Sequence, residues 1–233
     1  RVRKAFTLAI DRRIIVEKIT RGGQHPATGL VSDAVPGTSD AQDFRTEGGA
    51  FLPERADIEG ARKLLAEAGY PEGKGFPHVS YKYNSNSGNK QMAEALQGMW
   101  KQVLGVEVEL INEEWKVFLE TRARKDFDIA RDAWIMDFFD AGSILELFIT
   151  DAAQNYTSYS NPAFDSAMRR ASGEMDRAKR INAMPEAEAV LMEDMPCAPI
   201  YFYTSAVLQS KRVSGIYRSM LGYILFRGAT VAQ

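Results

Sequence analysis

Between residues 78 and 136 the hydrophobic period of the chain alternates, and this limits the fold more than any other feature. "HVSYKYN" (78–84) alternates as a strand and is broken by "SNSGN". "KQMAEALQGMWKQVLG" then places Met92, Leu96, Met99, Trp100 and Val103 at helical spacing and stops at Gly105. "VEVEL" (106–110) alternates apolar and acidic residues, as a half-buried strand does. "NEEWKVFLETRARKD" is helical, with Trp115, Phe118, Leu119 and Arg122 along one stripe, and "FDIARDAWIM" (127–136) returns to strand. Strand, helix, strand, helix, strand reads as two consecutive βαβ units, hence an α/β fold with parallel strands and helical crossovers. None of these strands is followed by GxGxxG or GxxxxGK[ST], so the phosphate-cradling turns are absent.

The flanks fit one sizeable domain. The opening "RVRKAFTLAIDRRIIVEKI" reads as one helix with Val2, Phe6, Ala9, Ile10 and Ile14 on its apolar face. It starts in register without a Met, which suggests a chain cut from something longer. Residues 21–56 form a Gly/Pro/Asp-rich stretch too long for a plain connection. "DIEGARKLLAEAGY" is a helix capped by Asp57 and stopped by Gly69. Towards the end, "NPAFDSAMRRAS" starts at an Asn-Pro cap, and "DRAKRINAMPEAEAVLMEDMP" is helical with a kink or break expected at Pro185. "CAPIYFYTSAVLQSK" reads as one or two strands, and the apolar tail "YRSMLGYILFRGATVAQ" has little period.

Charge and rare residues narrow the function. A net charge of −2 over 233 residues favours neither nucleic acid nor an anionic membrane. Nowhere does an apolar run approach the roughly 18–20 residues of a membrane span. Cys197 lies inside "CAPIYFY" and reads as a buried thiol. The 2 histidines, His25 and His78, neighbour prolines in loops or strand edges, so no metal site or cofactor is expected.

Ligands of open parallel sheets bind beyond the carboxyl ends of the strands. The first end supplies Asn84, Ser85, Asn86, Ser87, Gly88 and Asn89; the second Asn112, Glu113, Glu114 and Trp115; the third Trp134, Asp137 and Asp140. Amides, hydroxyls, carboxylates and aromatic faces suit a ligand with many hydrogen-bonding groups and a positive charge. Arg131 shares strand parity with Asp137 if the strand stays regular, and Arg122 shares a helical stripe with Trp115. Each residue also has a plainer reading. Trp115 and Trp134 are equally packing residues, Asp137 a helix cap, Arg122 a solvated helix end, and Arg131 with Asp137 a structural ion pair. Asp137 and Asp140 together would also suit acid/base work in a hydrolase.

The order "VRKAFTLAIDRRIIVEKI", "PATGLV", "ARKLLAEAGYPEGKGFP", "YNSNSGNKQMAEALQGMWKQVLGVEVEL", "EEWKVFLETRARKDFDIARDAWIMDFFD", "YSNPAFDSAM" and "LMEDMPCAPIYFYTS" resembles the C-terminal lobe of the oligopeptide-binding proteins, the solute receptors of peptide ABC importers. The resemblance implies a periplasmic-binding-protein-like lobe with a mainly parallel or mixed sheet flanked by helices. It implies a non-catalytic receptor outside the cytoplasm, periplasmic or lipid-anchored, that holds an extended peptide between two lobes and presents it to membrane permease subunits. Residues 1–212 would be the ligand-binding lobe, and 213–233 a tail returning to an N-terminal lobe not included here, with the 21–56 loop at the surface near the hinge.

By the same resemblance, Asp137 receives the peptide α-amino group, Trp115 lines a side-chain pocket, and Arg131 and Arg122 meet the peptide carboxylate. Trp134, Asn84, Ser87 and Asn89 complete the contacts, Asn89 standing where the family has a histidine. "FFDAG" departs from the family pattern after the aspartate. Relatives on this scaffold carry dipeptides, metal chelates or oligosaccharides, so those solutes stand as alternatives.

Overall fold

Strand β2 (Val79–Asn84) owes its place to its alternation: Tyr81 and Tyr83 are buried on one face, and Ser80 and Lys82 lie on the other. The computed structural model describes every residue of 1–233 except Asp40, Met220 and Gln233. Both neighbours of β2 are parallel to it. β3 (Val108–Glu113) pairs from Val79↔Val108 to Asn84↔Glu113. On the other side β4 (Ile129–Ala130) pairs through Tyr81↔Ile129 and Lys82↔Ala130. The order is therefore β3–β2–β4, with the first strand in the middle.

Helix α5 (Ser87–Leu104) joins β2 to β3 and buries Met92, Leu96, Trp100 and Val103 against the two tyrosines. Full burial of side chains of this size stabilises by about 1.5–3 kcal/mol each. Trp100 stands edge-on to Tyr81 at 5.9 Å and donates its indole N–H to the Phe6 carbonyl at 3.0 Å, tying in the amino-terminal helix α1 (Val2–Leu8). Gly105 ends α5 in the left-handed region at φ +70°, where a Cβ would stand 2.4 Å from the Glu72 carbonyl oxygen. Glycine is required there.

The opening segment is not one helix. The Asp11 carboxylate accepts the Ile14 N–H at 2.8 Å and restarts the chain as α2 (Arg12–Ile14), which widens into a π-helical Ile15–Thr20. The restart at Asp11 resets the register, so Ile15 and Val16 are buried and Ile14 faces out. Arg12 is wholly buried, joins no ion pair among the described residues, and donates to the carbonyls of Pro199 (2.8 Å), Ile10 (3.2 Å) and Thr7 (3.2 Å). Burial lowers its pKa to about 10 despite the nearby Asp11.

The 21–56 stretch is no loose surface loop. It contributes β1 (His25–Pro26) and α3 (Phe44–Gly48), and it buries Val31, Val35, Phe44 and Leu52. After it, α4 (Ile58–Glu67) is capped by Asp57, whose carboxylate accepts the Gly60 N–H. A second core forms where Val31, Val35 and Phe44 meet α7 (Gly142–Leu145), α8 (Pro162–Gly173) and α9 (Arg177–Asp194). Glu188 of α9, fully buried, clamps the stretch: its carboxylate pairs with Arg45 at 2.6 and 2.8 Å and accepts the N–H groups of Leu30 (2.8 Å) and Val31 (3.0 Å). Helix α9 runs through Pro185 without the expected break.

Three strand expectations shrink or shift. The 127–136 strand is regular only at Ile129–Ala130, the 106–110 strand moves to Val108–Glu113, and the 197–211 region keeps only β5 (Tyr201–Phe202), antiparallel to β1. In the tail, β6 (Val213–Ser214) pairs with β9 (Thr230–Val231) and β7 (Tyr217–Arg218) with β8 (Ile224–Leu225), leaving Tyr217, Tyr223 and Phe226 largely exposed.

Candidate functional site

Because β2 is central, the chain leaves it towards β3 and later returns past it to β4. Its two crossovers, α5 and α6 (Trp115–Ala123), run in opposite directions across the sheet. Where strand order reverses, the carboxyl ends of adjacent strands open a crevice. Here that point lies between the end of β2 and the end of β4.

At the end of β2, Asn86 caps α5 by accepting the Gly88 N–H at 2.9 Å. Asn89 donates its amide to the backbone and side-chain oxygens of Asn84 at 3.1 and 3.0 Å, and so braces the turn. The Ser85 hydroxyl donates to Asn112 Oδ1 at 2.8 Å, linking the β2 and β3 ends. Tyr83, Ser85, Asn86, Ser87, Lys90 and Asn112 line a shallow cleft of about 270 Å³. Lys82, on the α6 face, reaches the Asp126 carbonyl at 2.6 Å and lies 4.0 Å from Glu113.

Glu114 caps α6 by accepting the Lys116 N–H at 2.7 Å, which throws Trp115 to the rim. Its ring, 46% exposed, stacks on the buried Phe118 at 6.3 Å. Trp115 is thus no core residue. Trp134 is half-buried, and its indole N–H is enclosed without a partner among the described residues.

The segment after β4 decides between the readings of the charged residues. The Arg131 N–H still bonds the Lys82 carbonyl at 2.9 Å, but beyond it the ladder stops and strand parity with Asp137 no longer applies. Arg131 and Asp137 do not pair. The Arg131 guanidinium donates to the Tyr203 hydroxyl at 3.0 Å and has no carboxylate partner among the described residues. Tyr203 stacks edge-on with Tyr201 at 5.0 Å, and burial and the Tyr203 hydroxyl raise the Tyr201 phenol well above its ordinary value.

Arg122 is no solvated helix end. It is buried, its guanidinium lies 4.4 Å over the Tyr156 ring, and it pairs with Asp132. Asp137 caps no helix with its side chain. Its N–H donates to Ser143 Oγ at 2.9 Å, while its exposed carboxylate accepts no hydrogen bond and joins no ion pair among the described residues. Asp140 instead accepts the Gly142 N–H at 2.8 Å, just before α7, and pairs with Arg180. Burial, then Asp137, then Asp140 hold the nearby Glu146 carboxyl above its usual value.

Asp132, Tyr156, Tyr203 and Glu146 were missed by sequence reasoning, as were Ile135 and Phe138, exposed by 80% and 43% beside Asp137. Two adjacent exposed apolar side chains in "WIMDFF" were the available signal. Among the described residues, no group of three His, Cys, Asp or Glu side chains is placed to hold a metal ion, and no helix is long and apolar enough to cross a membrane.

Residues 1–156 match the family model of the bacterial extracellular solute-binding proteins, family 5, in its middle region. This chain belongs to that family. Among its family-5 relatives, the oligopeptide-binding protein OppA of Bacillus subtilis is 34% identical over 98% of this chain and 42% of its own length. The periplasmic oligopeptide-binding protein OppA of Escherichia coli is 37% identical over 92% of this chain and 39% of its own. The crystal structure of Haemophilus influenzae OppA in complex with RPPGFSPFR superposes with a TM-score of 0.80 at 29% identity, covering all of this chain and 45% of that one. The chain thus spans about two fifths of the length of the curated family-5 relatives it matches. The mixed α/β architecture is that of the family-5 lobe.

Proposed function

We propose that this chain is one lobe of an extracytoplasmic receptor that closes on an extended oligopeptide and delivers it to the permease subunits of an ABC importer. Residues 1–212 form the ligand-binding lobe. The exposed ribbons of 213–233 belong against an N-terminal lobe carried elsewhere in the protein. Hinge closure around ligand is a standard transition of such binders. In this reading Asp137 takes the peptide ammonium, Arg131 and Arg122 serve the carboxylate end, Trp115 and Trp134 wall side-chain pockets, and Asn84, Ser87 and Asn89 add polar contacts.

The observation that carries the reading is the state of Asp137. Its carboxylate is exposed on the segment that follows β4, flanked in sequence by exposed Ile135 and Phe138, and it has no partner among the described residues. A peptide ammonium supplies one, through a charge-assisted bond strengthened by closure. The hydrolase reading loses its second carboxylate, because Asp140 is held by Arg180 and the Gly142 N–H. The histidines are surface residues facing Asp33 and Glu109, so neither is set beside a nucleophile. We read the chain as a binding module.

The test compares free-amine with N-acetylated peptides in the full-length receptor. Asp137→Asn is expected to weaken the free-amine peptide by about 1.5–3 kcal/mol, the worth of a hydrogen bond to a charged group, and the acetylated one far less. Calorimetry giving equal losses removes Asp137 from the role.

A further inference from the structure

Two arginines stand near the carboxyl end of β4, and the fold treats them differently. Arg122 comes from the last turn of α6 and is 9% exposed. Its Nη1 donates to Asp132 Oδ1, its plane covers the Tyr156 ring, and its Nε is enclosed without a partner among the described residues. Arg131 is half-exposed, bonded only to a neutral phenol, and follows β4 directly. One cation is therefore in direct contact with a carboxylate, and the other is not.

We propose that Asp132 is a specificity-determining residue that occupies Arg122 in place of a ligand carboxylate, leaving Arg131 as the cation that reads the ligand's anionic end. The assignment rests on the peptide reading given above and divides the roles of the two arginines within it. A ligand carboxylate approaching Arg122 must displace a carboxylate already there. That exchange gains one ion pair and breaks another, so it yields little net attraction at the enclosed Arg122. A carboxylate approaching Arg131 displaces only a tyrosine hydroxyl, which can then turn to water.

Asp132 is also built in. Its Oδ1 accepts the Ala133 N–H at 2.7 Å, so the carboxylate is aimed by its own backbone at the guanidinium. Its side chain is 47% exposed, and desolvation on its Arg122 side raises its pKa above the ordinary value even with Arg122, the Ala133 N–H and Arg131 pulling it down. Separating the pair leaves the enclosed Arg122 without its counter-charge. Ligands whose carboxylate falls at Arg131 are favoured over ligands whose carboxylate falls at Arg122, and the choice of register is made by one aspartate.

The experiment uses the full-length receptor and alanine peptides of two to six residues, each as free acid and as C-terminal amide, with calorimetric affinities. In the parent protein the free acid is preferred at the favoured length, and Arg131→Gln brings acid and amide to parity. Asp132→Asn, an isosteric change, is expected to tighten the free acid about tenfold or more at the length that reaches Arg122, with the amide unmoved. Asp132→Ala gives the same selective gain without an amide to rebond Arg122. An acid preference that survives Arg131→Gln, or Asp132 variants that move acid and amide alike or not at all, overturns the assignment. Asp137→Asn distinguishes the two failures: if it still separates free-amine from acetylated peptides, only the division of roles is wrong, and if no peptide of the series binds, the receptor reading falls with it.

Discussion

Replacing Glu188 with Gln should loosen the 27–52 stretch from α9 with little change in shape. Glu188 Oε1 accepts three N–H groups, from Arg45 (2.6 Å), Leu30 (2.8 Å) and Val31 (3.0 Å), and Oε2 a fourth from Arg45 (2.8 Å). Glutamine keeps one acceptor oxygen and so can hold the two backbone amides. Its NH2 group, however, faces the second arginine nitrogen, and the Arg45 charge is left buried without a counter-charge. Breaking a buried pair from one side costs about 3–5 kcal/mol. At one decade per about 1.4 kcal/mol, the opening equilibrium of the stretch rises by two to nearly four decades, up to the limit set by global unfolding. Hydrogen exchange at the Leu30 and Val31 amides reads this directly. Pairing Glu188→Gln with Arg45→Met should recover a coupling of about 0.5–3 kcal/mol, because the orphaned cation is gone. Unchanged exchange at those amides, or a double variant that is simply additive, would refute the reasoning.

Trp100→Phe removes the 3.0 Å bond to the Phe6 carbonyl and should cost about 1–3 kcal/mol in urea melts, since it strands a buried acceptor. Burial, with Asp132 and Glu188 nearby, pushes the half-buried Cys197 thiol up to about 12 from 9.0, so at pH 8 its reaction with an aromatic disulfide should be slower than that of an unshifted thiol by about thirtyfold, the fall in thiolate being partly offset by greater nucleophilicity. A rate near that of free cysteine would contradict it. Glu146 has its folded pKa raised, so its stability contribution is present at acid pH and is lost as pH rises through the raised value. Asp137→Asn should lower that titration as seen by carboxyl ¹³C NMR, and an unmoved midpoint would separate the two groups.

The sheet was legible because its alternation sets aromatic side chains on one face against polar ones on the other: Tyr81 and Tyr83 against Ser80 and Lys82. Caps at Asp57, Asn161 and Gly105 were legible for the same local reason. What failed was non-local. Nothing near Glu188 in sequence announces Arg45, which is 143 positions away and makes a core of what reads as a loop. The break and restart at Asp11 shifts the register without changing composition, so Ile15 and not Ile14 is buried. At the site, Asp137 and Trp115 were visible as residue types at a strand end and a helix start. That the Asp137 carboxylate has no partner among the described residues was not, because Arg180, 40 positions after Asp140, pairs with Asp140 instead.

Residues 131–141 are tied at one end to the sheet, through the Arg131 N–H and the Lys82 carbonyl, and at the other to the helical core, through Ser143 and Arg180. Between those moorings the backbone has almost no ladder to preserve. Away from Met136 and Ala141, which pack into the second core, substitutions there can re-aim a side chain without disturbing either core, so diversification of cargo among receptors of this architecture should concentrate in this short span.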